Sequence, residues 1–138
     1  MSRVSELLNI KYPILQGAMG VISNPKLVAA VSEAGGFGLL ATAFATDAQF
    51  VSNQVRSTKE LTNKPFGANL FAMNPKALEF AAVMAEEGIG AVTVSGGSPR
   101  QLIPFLRERG VKVLVVAPTV DFACKAESLG VSRWERGS

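Results

Sequence analysis

The 138-residue chain is 48% hydrophobic and 18% charged, the content of a sequence that buries a core, so disorder is excluded. Its formal charge of +3 comes from 14 basic and 11 acidic residues spread without a block or stripe, which leaves no footprint for nucleic acid or an anionic membrane. Cys124 is the one cysteine, so an internal disulfide is excluded, and no run reads as a signal-peptide core or a membrane span. A cytoplasmic location is expected, with Cys124 a buried, inert thiol.

Five short runs rich in branched or aromatic residues, at 12–16, 37–41, 66–71, 91–95 and 111–117, read as buried strands. Between them apolar residues recur at helical spacing, as in Leu27, Val28 and Val31, then Leu78, Phe80, Ala81, Val83 and Met84. Strands alternating with helices imply a parallel sheet with helical crossovers. Three helices are expected to open on a capping residue, a proline and a base: Asn24-Pro25-Lys26, Asn74-Pro75-Lys76 and Ser98-Pro99-Arg100. Another opens near Thr46-Asp47 and runs to about Ser57, while Gly35, Gly88, Gly110 and Gly130 stand where helices stop. Periodicity alone leaves two architectures open, a doubly wound sheet and a closed eight-unit barrel.

In both, ligands bind at the carboxyl ends of the strands. After the first strand comes Gly17-Ala18-Met19-Gly20, small enough for a flat ligand to approach the backbone, or simply a tight turn. After the second comes Thr42, and inside the third lies Asn69, whose amide both donates and accepts, or acts as a structural cap. After the fourth comes Ser95-Gly96-Gly97-Ser98, a source of N–H groups or a loop with its cap. The chain has no histidine, and therefore neither an imidazole acid/base nor a histidine-bound metal. Glu33, Glu86, Glu87 and Glu108 read as solvated helix surface, and Asp47 and Asp121 as first-turn charges. No catalytic residue is assigned.

Five segments together resemble the nitronate monooxygenase family and the similar flavin-dependent enoyl-acyl carrier protein reductases. They are Leu7-Leu8-Asn9-Ile10-Lys11-Tyr12-Pro13-Ile14 leading into Gln16-Gly17-Ala18-Met19, Ala34-Gly35-Gly36-Phe37-Gly38, Lys64-Pro65-Phe66-Gly67-Ala68-Asn69, the glycines at 96 and 97, and the strand from Val111 to Pro118. The resemblance implies an incomplete (β/α)8 TIM barrel, about its first five units, over residues 1–130. It implies FMN as cofactor, with the backbone of Ala18, Met19 and Gly20 along the isoalloxazine and Asn69 bonded to the ring or ribityl chain. Thr42, Ser95 and Gly96 are carried over to the same site. The implied activity is oxidation of nitronates, a small-molecule substrate, using oxygen. The alternatives are reduction of an enoyl thioester and a non-enzymatic remnant.

The family places a histidine in an Ala-Gly-Gly-His segment on its next strand and seats the FMN phosphate on loops after its last two strands. Residues 131–138 are instead polar and unpatterned, and are expected to be a frameshifted tail; a cut at this boundary and a natural short protein are the rivals. The expectation for the chain alone is weak or absent FMN binding, negligible turnover, and self-association through uncovered barrel edges.

Overall fold

A computed structural model describes residues 2–131. The chain runs α1 (Arg3–Leu8), β1 (Leu15–Gln16), a 3-10 turn (Gly20–Ile22), α2 (Pro25–Glu33), β2 (Phe37–Ala41) and α3 (Ala48–Leu61). It continues with β3 (Phe66–Phe71), α4 (Ala77–Glu86), β4 (Ala91–Ser95), α5 (Leu102–Glu108), β5 (Lys112–Val115) and α6 (Val120–Ser128). The anticipated tail lies outside the described residues, save Val131. No helix among the described residues is long and apolar enough to cross a membrane.

The five strands are all parallel and lie in the order β1-β2-β3-β4-β5. A doubly wound sheet reverses its strand order at a switch point, whereas an unbroken sequential order is the arc of a barrel. The sheet is therefore five units of an incomplete (β/α)8 barrel. Among the described residues β1 and β5 each have one paired neighbour.

The three central strands have the extents expected from sequence, and the outer two are shorter. Ahead of β1 the Tyr12 N–H bonds the Gly35 carbonyl in the loop that precedes β2, and Pro13 has no N–H for a ladder. The helix α1 was not anticipated. The Ser2 hydroxyl caps it by accepting from the Ser5 N–H at 3.2 Å, and Asn9 ends it in the left-handed region at φ 54°.

Caps form at Asn24, Asp47 and Thr119, whose side chains accept from the backbone N–H of Leu27, Phe50 and Phe122. The other two Pro-containing motifs differ from expectation. Asn74 Oδ1 accepts from the Lys76 N–H at 2.9 Å and Ser98 Oγ from the Arg100 N–H at 3.4 Å. Each side chain closes a local turn two residues on, and the helices start later, at Ala77 and Leu102.

Alternation along the strands divides the sheet into two faces. Leu40, Ala68, Leu70, Val92, Val94 and Val113 point to the helices and join Val28, Val51, Val55, Phe80, Met84, Ile103 and Leu106 in the main core. Gly38 and Gly67 mark close approaches: a Cβ at Gly38 would overlap the Val28 backbone of α2, and one at Gly67 the Ala91 carbonyl of β4. On the opposite, inner face Phe37, Leu39 and Ala91 form a smaller cluster with Leu8 and Ile10, so α1 closes the amino end of the arc.

Cys124 corrects an expectation, since it is exposed. Only Ala126 of α6 is buried, so this last helix touches the core through one small residue and leaves the thiol in water.

Candidate functional site

The register aligns Ala41, Asn69, Thr93 and Leu114 across β2 to β5, with Phe71 beside Ser95 one step nearer the carboxyl end. The inner face thus passes from apolar at its amino end to hydroxyl and amide groups at its carboxyl end. Asn69 is the hub. Its Nδ2 donates to Thr93 Oγ1 at 2.8 Å, its Oδ1 accepts from Ser95 Oγ at 3.1 Å, and its backbone carbonyl accepts from Thr42 Oγ1 at 2.6 Å. Thr42 and Thr93 are buried, while Asn69 and Ser95 are half-buried and reach the open side of the arc.

The β1–α2 corner is organised by Ser23, which is buried. Its hydroxyl accepts from the Met19 N–H at 2.7 Å and from Gln16 Nε2 at 2.9 Å, while Gln16 Oε1 accepts from the Leu39 N–H at 3.4 Å. The Met19 N–H, placed by the resemblance against a ligand, is held by Ser23 in this structure. The Met19 side chain is 50% exposed, and a Cβ added at Gly17 meets no atom within 4 Å. Space for a flat group therefore lies over Gly17 and Met19.

The glycines after β4 have a local cause. A Cβ at Gly96 would overlap the Phe71 ring, and one at Gly97 would come within 2.9 Å of the Met73 side chain. Gly96 is thus a site residue through Phe71, whose ring stays 38% exposed at the top of the inner face.

Thr42, Asn69 and Ser95, named from sequence, converge in one hydrogen-bonded cluster; Ala18, Met19 and Gly20 lie at the end of β1, on the same carboxyl rim. Sequence reasoning missed Thr93, Ser23, Gln16 and Phe71. Thr93 and Phe71 were within reach of period-two alternation, which puts 91, 93 and 95 on one face and 67, 69 and 71 on another strand's same face. Nothing local marks Ser23.

The donor set fits the edge of an isoalloxazine ring. With one N–H and one lone pair of the Asn69 amide engaged by Thr93 and Ser95, a second N–H and a second lone pair remain for a ligand that both donates and accepts. Exposed Met19 and Phe71 add apolar surface at the same end. The cluster contains no titratable side chain. Among the described residues no group of His, Cys, Asp or Glu could hold a metal ion. The resolved pKa shifts lie on the outer helices. There the Arg56 guanidinium, 2.9 Å away, and then the Ser52 hydroxyl hold the Glu87 carboxylate below its ordinary range. Glu33 likewise accepts from buried Thr62 at 2.6 Å, so these two acids clamp neighbouring elements rather than only facing water.

A model of the nitronate monooxygenase family matches residues 1–121. The chain is 33% identical over 131 residues to the (3aS,4S,5R,7aS)-5-hydroxy-7a-methyl-1-oxo-octahydro-1H-indene-4-carboxyl-CoA dehydrogenase of Rhodococcus jostii (strain RHA1), covering 95% of this chain and 35% of that protein. It is 30% identical over 167 residues to a nitronate monooxygenase of Pseudomonas aeruginosa, covering 93% and 47% respectively. The solved FabK from Thermotoga maritima superposes with a TM-score of 0.91 and 36% identity, over 95% of this chain and 42% of that one. The chain spans from about a third to just under half the length of these relatives.

Proposed function

The chain belongs to the nitronate monooxygenase family, and from that premise we propose that it builds the ring-side wall of an FMN site in an oxidoreductase acting on nitronates with oxygen. One observation carries this: the Thr42–Asn69–Thr93–Ser95 cluster sits on the open inner face at the carboxyl ends of the strands. FMN, when bound, supplies the redox chemistry. Asn69 would meet the polar edge of the ring, and Thr93 and Ser95 hold its amide in one orientation. Met19 and Phe71 would shield the ring from water. The corner from Gly17 to Gly20 would lie against it, kept in place by Ser23 and Gln16. Without a titratable group in the cluster, this wall orients and does not transfer protons.

A second reading, a reductase or dehydrogenase of thioesters, is favoured by the 36% identity and 0.91 TM-score to FabK and by the CoA dehydrogenase relative. Both readings use the same wall. A cytoplasmic location, expected from the lone cysteine and from a sequence with no membrane-length apolar run, goes with either. So does association of the chain with itself through the edges of β1 and β5, which concentration-dependent light scattering would detect.

Titration with FMN and with riboflavin, followed by flavin fluorescence, tests the proposal. A wall that contacts only the ring gives weak and equal affinities for the two, both lowered in Asn69→Ala. Stoichiometric FMN at micromolar protein with no riboflavin binding would sink it, because the phosphate would then be the anchor.

A further inference from the structure

A second cavity lies at the other end of the arc. About 490 Å³ in volume, it falls within the range of roughly 300–1,000 Å³ that accommodates small molecules. Its lining includes the first residues of four strands, Phe37, Phe66, Ala91 and Lys112, so it opens at the amino ends, away from Asn69. Leu7 and Leu8 of α1 and Ile89 complete an apolar floor.

The rim is basic. Lys59, Lys64 and Lys112 line the cavity, and no carboxylate does. Lys59 Nζ donates to the Glu87 carbonyl and Lys112 Nζ to the Leu7 carbonyl. A carbonyl neutralises no charge, and each ammonium keeps two more donors. Glu87 is bonded to Arg56 and Ser52 and shares its field with Lys59, and Glu33 accepts from Thr62, so Lys64 and Lys112 are the lining cations furthest from a bonded carboxylate's influence in these contacts. An apolar floor under three lysines matches a ligand with a hydrocarbon body and an anionic head.

We propose that this cavity is a second binding site, for a small anionic amphiphile whose hydrocarbon lies along the apolar floor beside half-buried Leu7 and Pro65 and whose head group meets the three lysines. It is independent of the flavin wall, so either assignment can fail alone. Binding weakens with added salt, since the rim is exposed.

The test is calorimetric titration of the chain with octanoate, octyl phosphate and 1-octanol. Both anions are expected to saturate one site, the tighter of them identifying the head group as carboxylate or phosphate, with 1-octanol severalfold weaker. Lys64→Ala weakens the anions by about twofold to fivefold, the scale of one exposed charge pair. Gly90→Leu fills the cavity from a position where a Cβ meets nothing within 4 Å, and is expected to abolish binding with the circular dichroism spectrum unchanged. Equal binding of 1-octanol, no saturation by either anion, or parental affinity in folded Gly90→Leu would overturn the proposal. Should Gly90→Leu not fold, Lys64→Ala decides between the outcomes.

Discussion

The two faces of one sheet are built for different purposes. On the helix side, β2 to β5 present mostly branched aliphatic residues, and a glycine appears where α2 must come close. On the inner side the same strands alternate into Phe37, Leu39 and Ala91 at one end and Asn69, Thr93 and Ser95 at the other. Hydroxyls and an amide there weaken packing and gain directionality. A barrel can thus fold on its outer layer and vary its chemistry at the carboxyl rim of its inner one.

The largest expected effect is on the outer side. Phe80 of α4 is 1% exposed in the centre of the main core, and Phe80→Ala should cost about 3–5 kcal/mol in urea unfolding. Next comes a pair of identical glycine changes. Gly38→Ala drives a methyl into the α2 backbone and should cost about 1–3 kcal/mol, whereas Gly17→Ala, in open space, should stay within about 0.5 kcal/mol. Equal costs would mean that α2 does not approach β2 at Gly38 as closely as the structure shows.

Asn69→Ala should cost only about 1 kcal/mol, because the Thr93 and Ser95 hydroxyls lose a partner but Ser95 can turn to water. Its effect on flavin affinity should exceed its effect on stability. A variant as destabilised as Phe80→Ala would make Asn69 a core residue instead.

The smallest effect concerns Glu87. Because Arg56 and Ser52 hold its folded pKa below the unfolded value, its contribution is present above the unfolded carboxylate pKa and is lost as pH falls through the folded one. Glu87→Gln should therefore be less stable than the parent near neutral pH, with the difference closing in acid. Thermal melts across that range check the sign, and a gap that widens in acid contradicts it.

Much of this was legible in the sequence. The three central strands, the capping role of Asn24 and the positive-φ helix stops at Gly35, Gly88, Gly110 and Gly130 follow from local rules. Thr42, Asn69 and Ser95 were found because polar residues near the carboxyl ends of strands stand out against apolar neighbours. The openings at Asn74 and Ser98 were misplaced because a cap and a local turn share the same residues, and packing decides between them. Cys124 was misjudged for a related reason: burial depends on what covers α6, which a thiol's average preference does not report.

The most direct test follows backbone and Asn69 side-chain amide resonances while riboflavin is added. Shifts are expected at Gly17–Gly20, Asn69, Thr93 and Ser95, with the outer face and the Lys64–Gly90 cavity silent. Shifts at that cavity alone, or none at Asn69 when flavin fluorescence reports binding, would contradict the assignment of the carboxyl rim as the flavin wall.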